Sequence, residues 1–401
     1  MRPLERPGEG HSGSASRIAY RFVFLIGIVS FFADSTYEGA RSILGPYLAG
    51  LQVSALAVGT VTGLGELLGY GLRLFSGWLA DSSQRFWLIT IIGYLLQMSA
   101  VPALALADTW PAVAVLIILE RVGKAIRNPP RDAMLSHAAA QVGGGYGWVF
   151  GLHEMLDQFG AVVGPLAVAA VLGLQGSYRE AFAVLVIPAA LNIAFVFLAH
   201  HLYPSPEDME RQFASTGSDQ LPRVFWIYLA GAGLVAMGFA DYPLIAYHFA
   251  HGHAVPGQWI AVFYAVAMGT GGAAAPVCGR LFDRYGFRVL IVLTLAAACF
   301  APLVFLGGFW GALLGACLWG LGMGVHESII PAAVAPMVSG RIRASAFGAF
   351  TAGYGVFWFC GSVAIGALYG QSVDLAVLFC LAVQLAAVPV FLAVDRRIRR
   401  P

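Results

Sequence analysis

The sequence predicts an all-α membrane protein with twelve transmembrane helices in two pseudo-symmetric six-helix bundles. Three observations predict this fold class. Apolar segments of membrane-spanning length follow one another along the chain, the basic residues have a one-sided distribution, and short motifs repeat between the two halves. Of the 401 residues, 59% are hydrophobic and only 11% are charged, and the mean hydropathy is +0.76. Soluble globular domains carry about 25% charged residues.

Twelve segments are long enough to cross a bilayer, which takes about 20 residues of apolar helix. Several are longer, so tilted helices or protruding ends are expected. The predicted spans, numbered 1 to 12 in chain order, are 19–49, 54–80, 86–107, 110–135, 146–172, 178–200, 222–250, 256–282, 287–307, 309–337, 343–369 and 373–395.

The longest polar interruption between spans is 201–221, "HLYPSPEDMERQFASTGSDQL". Because it contains Pro, Ser and Gly and lies at the middle of the chain, we expect a cytoplasmic linker between two bundles. The N-terminal bundle then covers 18–200 and the C-terminal bundle 222–396. The polar segment 1–17 is expected to be a disordered cytoplasmic tail, and 397–401 a second short tail.

The basic residues indicate the orientation. Of the 23 Lys and Arg residues, all but four lie on the side of the predicted topology that holds both termini. Arg179 lies in a loop on the other side, and Arg41, Arg73 and Arg121 lie within spans. By the positive-inside rule both termini are expected in the cytoplasm of a multi-pass inner-membrane protein.

The two halves repeat short motifs at nearly equal offsets. "FFAD" ends at Asp34 and "GFAD" at Asp241, while "SGWLAD" ends at Asp81 and "CGRLFD" at Asp283. Such repeats are typical of secondary transporters, in which the substrate binds where the halves meet.

Two segments carry a family resemblance. "GWLADSSQR" and "GRLFDRYGFR" resemble the two copies of the signature loop of the major facilitator superfamily, and they lie between spans 2 and 3 and between spans 8 and 9. The first copy departs from the usual pattern at Ser82 and Gln84. The resemblance implies twelve helices, cytoplasmic termini and secondary transport.

The same resemblance implies a cytoplasmic gate. A carboxylate at the end of a helix can accept hydrogen bonds from a neighbouring helix N-terminus and pair with arginine. We expect such contacts to latch the cytoplasmic side while the cavity opens outward. The residues assigned to this gate are Gly77, Asp81, Arg85, Gly279, Asp283 and Arg284.

In span 5, "GAVVGP" resembles a Gly-Pro motif of the superfamily's proton-driven exporters, although it lacks the trailing pair of glycines. Its residues Gly160, Gly164 and Pro165 are expected to pack this helix closely against a neighbour.

The second half of span 1 contains three charges. Asp34, Glu38 and Arg41 are spaced i, i+4 and i+7, which places them on one face of a helix, with Tyr37 beside them. A charge that faces lipid at mid-depth costs about 3 kcal/mol. This face is therefore expected to point into the bundle and to line a cavity.

Other spans add ionisable residues at membrane depth. Acids and bases of the first half nearly balance, which favours a paired network, whereas the second half is richer in aromatic residues. The candidates for substrate binding or proton coupling outside span 1 are Glu66, Glu120, Arg121, His153, Glu154, Asp157, Asp241, His326 and Glu327.

Span 4 continues into a basic end. Lys124, Arg127 and Arg131 are interpreted as positive charges at the cytoplasmic end of this helix. Pro129 and Pro130 are expected to kink or end it.

The leading hypothesis is a proton-coupled exporter of a small organic molecule that works by alternating access, with a buried carboxylate carrying the proton. A proton-coupled importer of an organic anion is an alternative, because Arg41 and Arg121 suit a carboxylate or phosphate. A non-transporting receptor or scaffold belongs to a different class. A lipid-moving transporter is a further alternative, which a lateral opening between spans 5 and 8 or spans 2 and 11 would favour.

No ATP-binding motif and no metal-ligand spacing occur in the sequence. We therefore expect no enzymatic activity, no cofactor and no metal. The expected partners are a small-molecule substrate, protons and the lipid bilayer, without nucleic acid, and the expected state is a monomer.

Overall fold

The computed structural model describes residues 9–139, 145–204, 221–252, 255–330, 333–334, 337 and 343–398. Nearly all of this part of the chain is helical. The helices are Glu9–Gly50 (span 1), Ala55–Ser83 (span 2), Phe86–Ala103 (span 3), Trp110–Ala139 (span 4), Gly145–Gly173 (span 5), Tyr178–Val184 and Val186–Leu202 (span 6), Arg223–Met237 and Tyr242–His251 (span 7), Gly257–Tyr285 (span 8), Phe287–Ala298 and Phe300–Leu306 (span 9), Phe309–Gly324 (span 10), Arg343–Tyr369 (span 11) and Val373–Ile398 (span 12).

Eleven of these spans are long and apolar enough to cross a membrane. Span 4 is the twelfth, a helix of 30 residues with six charged residues between Glu120 and Asp132. The predicted all-α fold with twelve helices is confirmed.

Two expected boundaries are corrected. The first helix begins at Glu9, so residues 9–17 of the expected disordered tail are helical and extend span 1. The helix of span 12 continues to Ile398 and takes in the start of the expected C-terminal tail. Most of the expected linker, 205–220, lies outside the described residues.

The prolines of span 4 do not end its helix, which continues to Ala139. Pro129 has no amide hydrogen, so it cannot donate to the carbonyl group of Ala125 four residues earlier. The hydroxyl of Ser76 in span 2 donates to this carbonyl oxygen at 2.8 Å. A neighbouring helix thus supplies the hydrogen bond that the proline removes, as membrane helices require.

Spans 7 and 10 are interrupted at membrane depth. Span 7 breaks between Met237 and Tyr242, and Asp241 is the residue that precedes its second helix. The end of span 10 is a π-helical turn, Val325–Ile329, which contains His326 and Glu327. Broken helices and π-turns are common at functional sites, so both interruptions place ionisable residues where a site is expected.

The halves meet closely at the end of the bundle remote from the termini. A Cβ atom on Gly45 of span 1 would lie 2.0 Å from the carbonyl oxygen of Pro243 in span 7. A Cβ atom on Gly59 of span 2 would lie 2.3 Å from the carbonyl oxygen of Ser362 in span 11. Because only glycine fits at such distances, these positions let the two halves close against each other.

Glycines also join spans 1 and 5 inside the first half. A Cβ atom on Gly160 would lie 2.3 Å from the carbonyl oxygen of Phe31, and one on Gly164 would lie 2.0 Å from that of Ser35. Pro165 continues the same helix. These backbone contacts hold the two helices together.

Candidate functional site

A buried network of charges joins spans 1, 2 and 4. Glu66 accepts a hydrogen bond from Arg41 at 3.1 Å and lies 3.0 Å from Nη2 of Arg121. The hydroxyl oxygen of Tyr37 accepts a hydrogen bond from each of the two guanidinium groups at 2.6 Å. The carboxylate of Glu66 thus lies between two buried guanidinium groups. Such pairing offsets part of the cost of burying these charges.

This network extends along span 4 through residues that the sequence reasoning missed. Glu120 lies 3.4 Å from Nε of Arg121 and accepts a hydrogen bond from Gln97 at 2.9 Å. Gln97 in turn accepts one from Arg127 at 2.6 Å, and Arg127 donates to the hydroxyl of Tyr94 at 3.1 Å. Gln97 and Tyr94 lie one turn apart in span 3, but without the structure nothing marks them as facing span 4.

The later basic residues of span 4, interpreted above as charges at its cytoplasmic end, are directed into the bundle. Arg127 is only 1% exposed and Arg131 7%. The amine of Lys124 lies 3.9 Å from the centre of the Tyr37 ring. All three positions fall within the predicted span 110–135, and the packing of this helix against its neighbours places their side chains inside the bundle.

Asp34 has a looser contact, since its Oδ1 lies 3.8 Å from Nη2 of Arg127. Nearby, Arg131 donates to the hydroxyl of Ser30 at 3.2 Å, and this hydroxyl lies 2.7 Å from Nε2 of His153. The network therefore reaches span 5.

Asp241 links the halves. Its carboxylate accepts hydrogen bonds from Trp358 at 2.9 Å and Ser362 at 2.7 Å, both in span 11, and from Thr62 of span 2 at 3.1 Å. Arg41 of span 1 lies 3.7 Å away. Asp241 is 2% exposed, so this carboxylate connects three other spans in a buried position.

A second link between the halves is a hydrogen bond from the hydroxyl of Tyr264 in span 8 to Glu38. Asp34, Glu38 and Arg41 share a helical face in the sequence, but the structure gives them different partners. Each of the three reaches a different span.

His326 and Glu327 are neighbours that point in different directions. His326 is buried, with a hydrogen bond to Tyr354 and its ring 4.5 Å from that of Phe239 and 5.3 Å from that of Trp358. Glu327 instead faces a cavity. The π-helical turn separates the two side chains.

This cavity has a volume of about 950 Å³ and lies between spans 4 and 5 of the first half and spans 8 and 10 of the second. It is on the side of the bundle towards the termini. Its polar lining includes Arg131, Asp132, His153, Glu154, Asp157, Gln158 and Glu327.

The expected gate is only partly visible. The side chains of Asp81 and Asp283 lie outside the described part of the chain. Arg85 and Arg284 are exposed, and a Cβ atom on Gly77 would lie 3.5 Å from Pro129. A Cβ atom on Gly279 would have no described neighbour within 4 Å. The gate therefore stays a prediction.

Replacing Asp241 by asparagine should weaken the link between the halves. The amide keeps the shape of the carboxyl group but loses its charge, so the approach of Arg41 at 3.7 Å loses its electrostatic gain. We expect a lower melting temperature in detergent, because a hydrogen bond to a charged group contributes about 1.5 to 3 kcal/mol to stability. An unchanged melting temperature would contradict the assigned link, and Asp374→Asn, at an exposed acid of span 12, is the control.

Two pseudo-symmetric bundles with a charge network across them and a cavity between them define a secondary transporter. The chain belongs to the Major Facilitator Superfamily, whose family model matches residues 23–333.

Its relatives include an uncharacterized protein of Mycobacterium tuberculosis, which is 39% identical over 383 residues, or 94% of this chain and 93% of the relative. An uncharacterized MFS-type transporter of Methanocaldococcus jannaschii is 26% identical over 221 residues, or 55% of this chain and 54% of the relative.

Solved structures share the fold. A variant of the nucleoside transporter NupG superimposes with a TM-score of 0.77 at 13% identity, covering 93% of this chain and 99% of that chain. A bacterial homolog of the human lysosomal transporter Spinster, in an inward-facing conformation, gives 0.71 at 14% identity, covering 94% and 97%. At these identities the likeness concerns the fold alone.

Proposed function

We propose that this protein is a proton-coupled exporter of a small organic molecule and works by alternating access. The observation that carries the proposal is the set of buried bonds across the halves, made by Asp241 with Arg41 and Thr62 and by Glu38 with Tyr264. When the halves separate at that end, these groups lose their partners. A proton or a substrate group can then take the vacated place.

Asp157 is our candidate for the proton carrier. It lines the cavity, and its Oδ1 is buried without a hydrogen-bond partner among the described residues. The nearest basic group is Nδ1 of His153, at 3.8 Å from Oδ2. A carboxylate without a tight cationic partner can exchange a proton with the cavity without breaking an ion pair.

The charge balance favours outward transport over uptake of an organic anion. Arg41 and Arg121 share Glu66, and each lies near a second carboxylate, Asp241 at 3.7 Å and Glu120 at 3.4 Å, so their positive charge is already compensated inside the protein. The resemblance of the span 5 motif to that of proton-driven exporters adds support. The basic residues predict cytoplasmic termini, and on this prediction the cavity lies on the cytoplasmic side, where an exporter loads substrate.

Substituting Asp157 by asparagine should uncouple proton movement from transport. We expect substrate-triggered proton flux to fall on the order of tenfold or more while substrate still binds. The assay uses purified protein in liposomes with a pH-sensitive dye inside and a panel of organic cations, anions and neutral compounds. Asp34→Asn is tested in parallel, and Asp374→Asn is the matched control.

Unchanged flux in both the Asp157 and Asp34 variants would remove these acids from the coupling step. Direction is read from the same vesicles by imposing the proton gradient in either sense. If substrate moves in the direction opposite to the protons, the result supports an exporter driven by proton entry. If substrate and protons move in the same direction, the result supports the importer.

A further inference from the structure

The cavity described above reaches the lipid-facing surface of span 5. Met155 and Phe159 both line it, yet they are 48% and 57% exposed. Val163 and Leu166, one and two turns further along the same helix, are 44% and 45% exposed and continue this apolar stripe. A stripe of exposed apolar side chains on a membrane helix faces lipid. The cavity therefore extends to the surface that contacts the bilayer.

Span 8 forms the opposite edge with small residues. A Cβ atom on Gly272 would lie 3.2 Å from the side chain of Gln158, which is a close approach of spans 5 and 8. Ala273 and Pro276 line the cavity and are exposed, and Val277 beside them is 55% exposed. Beyond the contact at Gly272 the two helices leave a window, lined by small and apolar side chains, through which the cavity meets the membrane.

The interior of this cavity is acidic. Arg131 is the one guanidinium among its described lining residues, and it is paired with Asp132 at 2.8 Å. Among the described residues, neither Glu154 nor Glu327 forms an ion pair within 4 Å, and the basic group beside Asp157 is His153, at 3.8 Å. Apolar surface surrounds these acids, including Met268 and Met323, whose flexible thioethers adapt to varied shapes.

We propose that the cavity takes amphipathic organic cations, which enter from the cytoplasmic leaflet through the window between spans 5 and 8. This inference rests on the proposed function and names its class of substrate. The apolar body of the ligand packs among the methionines and against Phe159, whose ring also attracts a cation. The positive group lies near Glu327 and Asp157. A molecule of this chemistry partitions into the bilayer, where the window opens.

The charge preference is tested with a matched pair of probes. Tetraphenylphosphonium and tetraphenylborate have nearly the same size and apolar surface but opposite charge. We expect purified protein in detergent, with protein-free micelles subtracted, to bind the cation at least about tenfold more tightly than the anion. Glu327→Gln should weaken binding of the cation by about tenfold and leave binding of the anion the same or tighter. Asp374→Asn should change neither.

Equal binding of both probes, tighter binding of the anion, or no effect of Glu327→Gln would overturn the cation preference. The proposed function is tested separately, by measuring substrate-triggered proton flux in vesicles that contain the Asp157→Asn variant. A protein that transports an anion or a neutral compound with intact coupling would keep the proposed function and lose this inference.

Entry through the window is tested by introducing a bulky, uncharged side chain at its edge. Ala273→Phe should slow tetraphenylphosphonium transport from the vesicle membrane by about tenfold, because the ring narrows the entrance and raises the barrier to entry. Leu378→Phe places the same ring on the exposed surface of span 12, which does not line the cavity, and should leave the rate unchanged. If both variants transport tetraphenylphosphonium as fast as the unaltered protein, the proposal of lateral entry is wrong.

Discussion

A valine at position 45 should stop transport while the protein remains folded. Gly45 lies where span 1 meets the second helix of span 7, and its Cβ atom would lie 2.0 Å from the carbonyl oxygen of Pro243 and 2.5 Å from the amide nitrogen of Tyr247. Backbone atoms cannot move aside as a flexible side chain can. This contact is between halves, so Gly45→Val prevents closure at the end remote from the termini without disturbing either bundle.

Gly164→Val is the informative contrast. Its Cβ atom would lie equally close to a backbone carbonyl, 2.0 Å from that of Ser35, but this contact is within the first half. We expect this variant to lose folded protein, whereas Gly45→Val keeps its yield and melting temperature and loses transport. Gly69→Val controls for valine in a helix, because nothing described lies within 4 Å of its Cβ position.

The measurements are the yield of monodisperse protein, the melting temperature in detergent, and transport in liposomes. Active transport by Gly45→Val would show that closure at this contact is dispensable. Normal yield and melting temperature for Gly164→Val would contradict the assignment of the span 1 and span 5 contact to folding.

Loss of the charge on Glu66 should have the largest effect on stability of any substitution in the charge network. This carboxylate lies 3.1 Å from Arg41 and 3.0 Å from Arg121. Glu66→Gln leaves two buried guanidinium groups without their shared anion. Breaking a buried ion pair by removing one partner costs about 3 to 5 kcal/mol.

A double-mutant cycle separates the ion pair from general damage. Glu66→Gln combined with Arg41→Gln should destabilise the protein less than the sum of the two single variants, because the pair is then removed together. Melting temperature in detergent is the readout. A strictly additive double variant, or a Glu66→Gln protein as stable as Asp374→Asn, would disprove the pairing.

The fold could be predicted from the sequence because the length of the apolar segments and the asymmetry of the basic residues are local signals. The helix interruptions in spans 7 and 10 were not predicted. Span 7 breaks before Asp241 inside a segment long enough to read as one span, and only Gly238 and Pro243 mark the break locally; nothing local announces the π-turn at His326. Span 4 shows the opposite failure, because local reasoning expects a break at Pro129, which a serine from another helix prevents.

The sequence predicted which residues belong to the site, but it did not predict which of them contact each other. Helical spacing placed Asp34, Glu38 and Arg41 on a common face, and an inward direction followed from the cost of charge in lipid. Their partners depend on tertiary contacts. Gln97, which connects Glu120 to Arg127, is an uncharged residue in an apolar helix and gave no signal of its role.

The bond from Ser76 to the carbonyl of Ala125 has a consequence for how the chain enters the membrane. Span 4 has a carbonyl that only another helix satisfies, and charges whose partners lie in spans 1, 2 and 3. A charge at the centre of an isolated inserting helix costs about 2.5 to 3.5 kcal/mol on translocon scales. Span 4 is thus expected to be a poor substrate for the translocon by itself, and its integration during synthesis should depend on the three helices made before it.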